Sequence, residues 1–408
     1  MALPTIKVEL AFNQKAPGNW FTLGDATKGV LGNTTYVLQP GTNWGDVSAY
    51  IQSVSVSRGK SRALDRYQAG HLTVVFNNRN RYFDPTYTSS PYYGQIVPRR
   101  DIRIYANGVI VFYGTIDDWN LDYQPNGDST ATASAYDGFA FLANQTLTAQ
   151  TYSSQLSGAR VSAVLADASV NWTFGSAVDA GSTTLQGDAV TANDNVLQYL
   201  QDIENTEPGD VFIAKSGALT FYDRSRVFPS SSVPVLADDG SGILYSQVRV
   251  TYGSELLYTQ AEFTRKGSST IVQANDLTAQ GTYGIRTLSM TGLLSQNDTD
   301  LATLATYTVG QYAQPEYRFD QVEVIISRLS TTDQNTILGL ELGSVCKVVF
   351  TPNGVGSPIS QYAKVIGITH AASTVEHRVT LSLGTLTATS FILDDVGFGN
   401  LDYNNLGW

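Results

Sequence analysis

Residues 58–98 read RGKSRALDRYQAGHLTVVFNNRNRYFDPTYTSSPYYGQIVP. No other stretch constrains the fold as tightly. One short β run, 72–76, has arginines on one side and Asn, aromatic residues and prolines on the other. Residues 77–81 read as the turn that ends it. Asp84-Pro85, Pro91 and Pro98 remove backbone donors and hold the preceding residues out of the helical region. Residues 82–98 are therefore expected to run as an irregular excursion from a sheet, not as a helix.

The rest of the chain repeats the β theme. Alternating runs at 6–12, 50–56 and 130–136, and a meander at 102–105, 109–113 and 117–123, predict a first barrel or sandwich over 1–150. Asn107-Gly108 is a hairpin turn signal. Residues 151–240 differ. Apolar residues at helical spacing in 157–168 and 195–205, with Asp194 as the expected N-cap, predict two helices beside a hairpin across Ser216-Gly217. Residues 241–385 return to strands, at 248–252, 261–264, 287–290, 321–326, 344–351, 363–370 and 377–383. One helix, 298–313, is stopped by Pro315. Residues 386–408 read as an extended arm. The expected fold class is mainly β with an α+β insert, and the 36 Gly and 23 Tyr among 408 residues suit strands and turns.

Charge is uneven. The chain carries a net −11, which argues against general affinity for DNA. Residues 58–103 hold nine basic side chains against three acids, so this island is +6 and the remainder −17. Two readings stand: contact with another copy or a partner, or ion pairs within one fold. The island residues taken as interface candidates are Arg58, Arg62, Arg66, Tyr67, Arg79, Arg81, Tyr82, Phe83, Tyr92, Tyr93, Arg99 and Arg100. Phe391, Leu393 and Trp408 of the arm join them.

Catalytic and metal patterns are weak. There is no Gly-x-Ser-x-Gly elbow and no phosphate-cradling loop. His71, His370 and His377 each abut a predicted strand and read as structural. His370 and His377, near Glu376, form a pair without a third ligand. Asp238-Asp239-Gly240-Ser241-Gly242 resembles a calcium loop only faintly and reads better as an acidic turn. Asp117 and Asp118, beside Trp119, are expected to point to opposite faces, so they cannot act as a paired acid and base. No cofactor or metal is expected. Cys346, the single cysteine, reads as a small buried hydrophobe. The N-terminus lacks signal-peptide character, and no run approaches the roughly 20 apolar residues of a membrane span, so no stable membrane insertion is expected.

Four collinear segments carry a resemblance: RGKSRALDRYQAGHLTVVFNNRNRYFDP with SPYYG; NVLQYLQDIENTEPGDVFIAKSGALTFYDR; VRVTYG with TYGIRTLSMTGLLSQND and QPEYR; and FILDDVGFGNLDYNNLGW. Together they resemble the minor tail, or tail-tip hub, proteins of long-tailed non-contractile phages, particularly those of actinobacteria, which are related to the contractile-tail baseplate hub. The resemblance implies a non-enzymatic homotrimer at the tail tip of a siphophage virion, assembled in the host cytoplasm. Two similar β-barrel domains per subunit would adapt a sixfold tail tube to a threefold tip. Implied partners are a distal tail protein ring, the C-terminus of the tape measure protein and further tail-tip or fibre proteins, with DNA only in transit. Larger hubs of this kind continue into fibre or lytic extensions. This chain stops about 20 residues after its last strand, so such activities are not expected of it. Competing readings are a hexameric distal tail protein with a carbohydrate-binding insertion and a cell-wall-binding or hydrolytic tail component.

Overall fold

Alternating burial along long strands builds the molecule. In the computed structural model, residues 3–12, 21, 23–33, 42–125, 127–226 and 233–386 are described. Phe391, Leu393, Trp408 and the rest of the arm beyond residue 386 lie outside them.

The first array consists of β1 (Ile6–Phe12), β2 (Asn43–Asp46), β3 (Ile51–Gly59), β4 (Gln68–Asn77), β5 (Asp101–Ala106), β6 (Val109–Asp122) and β7 (Thr130–Tyr136). Its order is β2-β1-β5-β6-β7-β4-β3. Large residues of β4 sit opposite small ones of β7: Leu72 pairs with Ala135, Val74 with Ala133 and Phe76 with Ala131, all buried. That large-to-small match lets the inward face pack without voids. Asn107 and Gly108 both take positive φ, as the predicted two-residue hairpin requires. The expected break near 114–116 is absent, and β6 is one strand of 14 residues. A register shift between Ile116 and Asp118 absorbs the irregularity, and Asp117 and Asp118 both lie exposed. A bulge thus overrides the simple alternation expected for this pair.

The next segment holds α1 (Gly138–Leu142), β8 (Gln150–Tyr152), β9 (Gln155–Leu156), α2 (Ser157–Leu165), β10 (Ser176–Val178), β11 (Thr184–Leu185), β12 (Asp188–Val190), α3 (Val196–Thr206), β13 (Asp210–Ile213) and β14 (Leu219–Tyr222). Both expected helices and the hairpin β13–β14 form. The N-cap of α3 is Asn195, one residue later than expected, with its Oδ1 accepting from the Gln198 N–H at 3.0 Å. Asp194 accepts instead from the Thr191 N–H, at 2.7 Å, within the preceding turn.

The second array consists of β15 (Val235–Ala237), β16 (Gln247–Tyr252), β20 (Tyr317–Ile325), β21 (Val345–Phe350), β22 (Ile359–Ser373) and β23 (His377–Thr385). Between β16 and β20 lies a satellite of β17 (Gln260–Arg265), β18 (Ile271–Asn275), α4 (Leu277–Tyr283), β19 (Thr287–Leu293) and α5 (Asp298–Tyr312). It has its own sheet, β18-β17-β19, and its own small core around Phe263, Leu301 and Leu304. The strands expected at 261–264 and 287–290 therefore belong to a separate layer. A further helix, α6 (Thr331–Gly339), was not expected. Its Ile337 and Leu338 are buried, but nine residues with three Thr and only one adjacent large apolar pair give little amphipathic signal.

The two arrays are one sheet. β22 uses one edge twice: residues up to Lys364 pair with β21, and from Gly367 onward they pair with β3. The switch falls at a glycine pair, with Gly367 opposite Gly59. Gly59 has φ +102, and a Cβ there would lie 2.3 Å from the Ile366 carbonyl oxygen. A side chain at either position would push the arrays apart. The resulting 13-stranded sheet exceeds the about 10 strands at which open sheets usually curl or split, which fits its division into two arrays. Among the described residues no helix is long and apolar enough to cross a membrane.

Candidate functional site

The arginine-rich island separates into three environments. The first is an aromatic knot. Phe83 is fully buried and stacks on Phe76, with centroids 4.5 Å apart, and on Trp119 at 5.9 Å. Tyr50 meets Tyr82, Phe83 and Tyr92 edge-on at 5.6–6.2 Å. Asn78 positions the loop: its Oδ1 accepts from the Phe83 N–H at 3.0 Å. Asp84 ties the knot, accepting from Arg81, Tyr123 and Thr86 at 2.7–3.0 Å. These donors outweigh burial and hold its carboxyl well below the ordinary range. Arg81 and Arg99 both take positive φ, where the chain leaves the sheet and where it returns. The excursion over 82–98 is thus irregular, as its prolines demand, yet packed.

The second environment is a charged junction where three segments meet. Arg58 on β3 is 5 % exposed, pairs with Glu341, and donates to the Ile213 carbonyl at 3.3 Å. Glu341 also accepts from the Lys215 N–H at 2.8 Å. The Lys215 ammonium caps the end of α6 through the carbonyls of Leu338, Gly339 and Leu340 at 2.8–3.1 Å, where the helix dipole favours a cation. Beside this lies Asp210, which accepts from the Tyr67 hydroxyl at 3.1 Å and Lys364 at 2.8 Å. Lys60 sits 3.9 Å from Glu204 and 4.0 Å from Asp210. Burial pushes the Glu204 carboxyl up to about 7, while Lys364 and Lys60 hold Asp210 low against the same effect. Arg66, half exposed, reaches Gln201 at 3.3 Å and Asp202 at 3.5 Å. First array, insert and second array are thus joined by ion pairs within one chain.

The third environment is the rim. Arg62 pairs with Glu255 at 2.8 Å, Arg79 with Asp128, and Arg99 with Asp117 at 3.8 Å, all with both partners largely exposed. Tyr93 is 52 % exposed. Arg100 is half-buried, and its Nε and Nη1 make no hydrogen bond. Desolvation lowers its pKa.

Sequence reasoning singled out the arginines and Tyr67 but missed their partners, Glu204, Asp210, Lys215, Glu341 and Lys364. One signal existed for Glu204: it falls on the apolar stripe of α3, at helical spacing from Val196 and Leu200. It also missed Arg160, fully buried, which donates to the Tyr199 hydroxyl and to the Ser153 and Gln186 carbonyls at 2.7–2.9 Å.

His370 and His377 do come together, with Nδ1 and Nε2 3.3 Å apart. Burial depresses both, His377 to about 4. Among the described residues no group of three or more His, Cys, Asp or Glu could hold a metal. Asp239 accepts from the Ser241 N–H at 2.9 Å, and Asp238 from the distant Thr351 N–H at 2.8 Å, so both carboxylates are engaged by backbone donors. Cys346 is buried and its thiol pushed up to about 12.

No protein-family model matches this chain, and no curated protein matches it. Solved structures do match in fold. The 43 kDa tail protein of prophage MuSo2 from Shewanella oneidensis is similar over 93 % of this chain and 98 % of its own, with a TM-score of 0.58 and 12 % identity. The tail protein from Neisseria meningitidis MC58 covers 93 % and 96 %, also with 0.58 and 12 %. Prophage tail protein gp18 from Listeria monocytogenes EGD-e covers 83 % and 91 %, with 0.50 and 12 %. The fold is that of phage tail proteins.

Proposed function

We propose that the chain is a structural, non-catalytic hub at the tail tip of a siphophage virion. The observation that carries this is the 13-stranded sheet that joins strands from both ends of the chain, in a fold matched almost end to end by tail proteins. Its two arrays of seven and six strands, welded at β3–β22, supply two ring-building units per subunit. Three subunits then offer six units to a sixfold tube, which resolves the symmetry mismatch. In this reading residues 1–150 and 241–385 are the paired hub domains, 151–240 the insert and 386–408 the arm. The exposed island residues Arg62, Arg79, Tyr93 and Arg99 meet neighbouring subunits or the distal tail ring. The arm, with Phe391, Leu393 and Trp408, reaches the next tip protein. The acidic remainder suits a channel that holds the tape measure end and later lets DNA slide past.

Light scattering of the purified protein tests this. A trimer of about 130 kDa, from chains of 44.1 kDa, is expected. A stable hexamer would overturn the threefold hub.

One cleft favours a second reading, a carbohydrate-binding distal tail component. A cavity of about 780 Å³ lies between the first array and the insert, lined by Tyr113, Tyr136, Phe141 and Phe174 with Asp101 and Asn144. Aromatic faces beside amides and carboxylates suit sugar rings. Saturable binding of host-wall glycan, lost in Tyr113→Ala, would favour it.

A further inference from the structure

A second cavity, of about 300 Å³, opens beside the edge strand β16 and its neighbour β20. Arg62, Arg249 and Arg318 line it, with Glu255 and Asp320. Arg318 is the unusual member. It is 8 % exposed, yet its side chain makes no hydrogen bond or ion pair among the described residues. Elsewhere the chain gives its buried cations partners: Arg58 and Lys60 lie against carboxylates, and Arg160 donates to a hydroxyl and two carbonyls. The neighbouring acids do not serve Arg318. Asp320 accepts from the Thr251 hydroxyl, and Glu255 is engaged by Arg62 at 2.8 Å. Arg249, exposed on the edge strand, also has no ion pair among the described residues. The pocket therefore carries three guanidinium groups against two carboxylates.

Local geometry explains the convergence. The β16–β20 register shifts between Arg249 and Val250, so that Arg249 faces Gln321, Val250 faces Phe319 and Asp320 is left over. Thr251 pairs with Arg318. Such a bulge re-aims side chains, and here it gathers Arg249, Thr251, Arg318 and Asp320 around one cavity. The Arg318 guanidinium nitrogens keep contact with solvent and form no ion pair, whereas a charge on so covered a residue is normally paired. Its planar fork of donors suits an oxyanion bound through two parallel N–H bonds.

We propose that this pocket is an oxyanion site, built to take a carboxylate or phosphate group between Arg318 and Arg249. The oxyanion comes either from solution or from an acidic side chain of a second copy of this chain.

Calorimetric titration of the full-length protein with phosphate and, separately, with citrate, at constant ionic strength against chloride, tests the site. Saturable uptake at one site per chain is expected. Arg318→Gln weakens it about tenfold, the loss of one charge-assisted contact. Arg249→Gln weakens it several-fold, and the remote Arg328→Gln leaves it unchanged. If Arg318→Gln does not fold, Arg249→Gln at its exposed position carries the test. Absence of saturable uptake of either anion by the wild type, or undiminished uptake by both pocket variants, overturns the proposal. Light scattering at rising protein concentration separates the two sources. Self-association that phosphate reverses assigns the oxyanion to a second copy. Uptake with unchanged mass assigns it to the free ion.

Discussion

Arginines at the junction and arginines on the rim come from one continuous stretch of sequence, yet they do different physical work. Arg58 lies at the meeting of three segments, out of water, and its partner Glu341 is 283 residues away in the chain. Arg79 and Arg99 lie in solvent and pair with acids on their own array. A buried pair penalises the loss of either member, because the survivor is left charged in a low-dielectric setting. An exposed pair loses little, because water replaces the partner. Residue type and local charge density are the same in both places. Burial decides the consequence.

The largest effects should fall on the buried side. Arg58→Ala, which strands Glu341, is expected to cost about 3–5 kcal/mol in urea unfolding. Phe83→Ala, which opens the aromatic knot, should cost a similar 3–5 kcal/mol. If Arg58→Ala cost no more than a rim variant, the distinction between junction and rim would collapse.

The junction should next show itself in pH dependence. Glu204 in the folded protein titrates near 7, above its ordinary value near 4.5. It binds its proton more tightly when folded, so its contribution is fully present below about pH 4.5 and lost as pH rises through 7. Glu204→Gln should remove about 2–3 kcal/mol of that decline between pH 5 and 8, read from unfolding midpoints. His377 has the opposite sign. Its folded value is depressed to about 4, so its contribution is present above about pH 6.5 and is lost as pH falls toward 4. His377→Gln should flatten that acid limb, by about 1–3 kcal/mol. An unchanged pH profile in both variants would show that neither group is buried as described.

The rim should be quietest. Arg79→Ala and Arg99→Ala are each expected to change stability by less than about 1 kcal/mol. A markedly larger loss would mean that these pairs are shielded from water, and would merge rim with junction.

How much was legible in advance follows the same division. The strands β1, β4, β7 and β23, the hairpin at Asn107-Gly108 and the helices α3 and α5 could be read because period, turn chemistry and caps are local. The excursion after β4 could be read from its prolines. The strand β6 was split wrongly, since a bulge leaves no compositional mark. That the strands around Phe263 form a sheet of their own was not legible, since alternation says that one face is buried without saying against what.

The sequence by itself determined which segments extend, which coil and where turns fall, because those choices rest on neighbours a few residues apart. It also determined that positive charge gathers in one island. Only the tertiary structure decided that β22 would leave β21 for β3 at a pair of glycines and so make two arrays one sheet. It alone decided which arginines of the island would be buried, and that Arg318, far from the island, would line a cavity whose acids are engaged elsewhere. Those outcomes depend on contacts between residues far apart in the chain, and a linear pattern of side chains carries no information about which distant partner closes them.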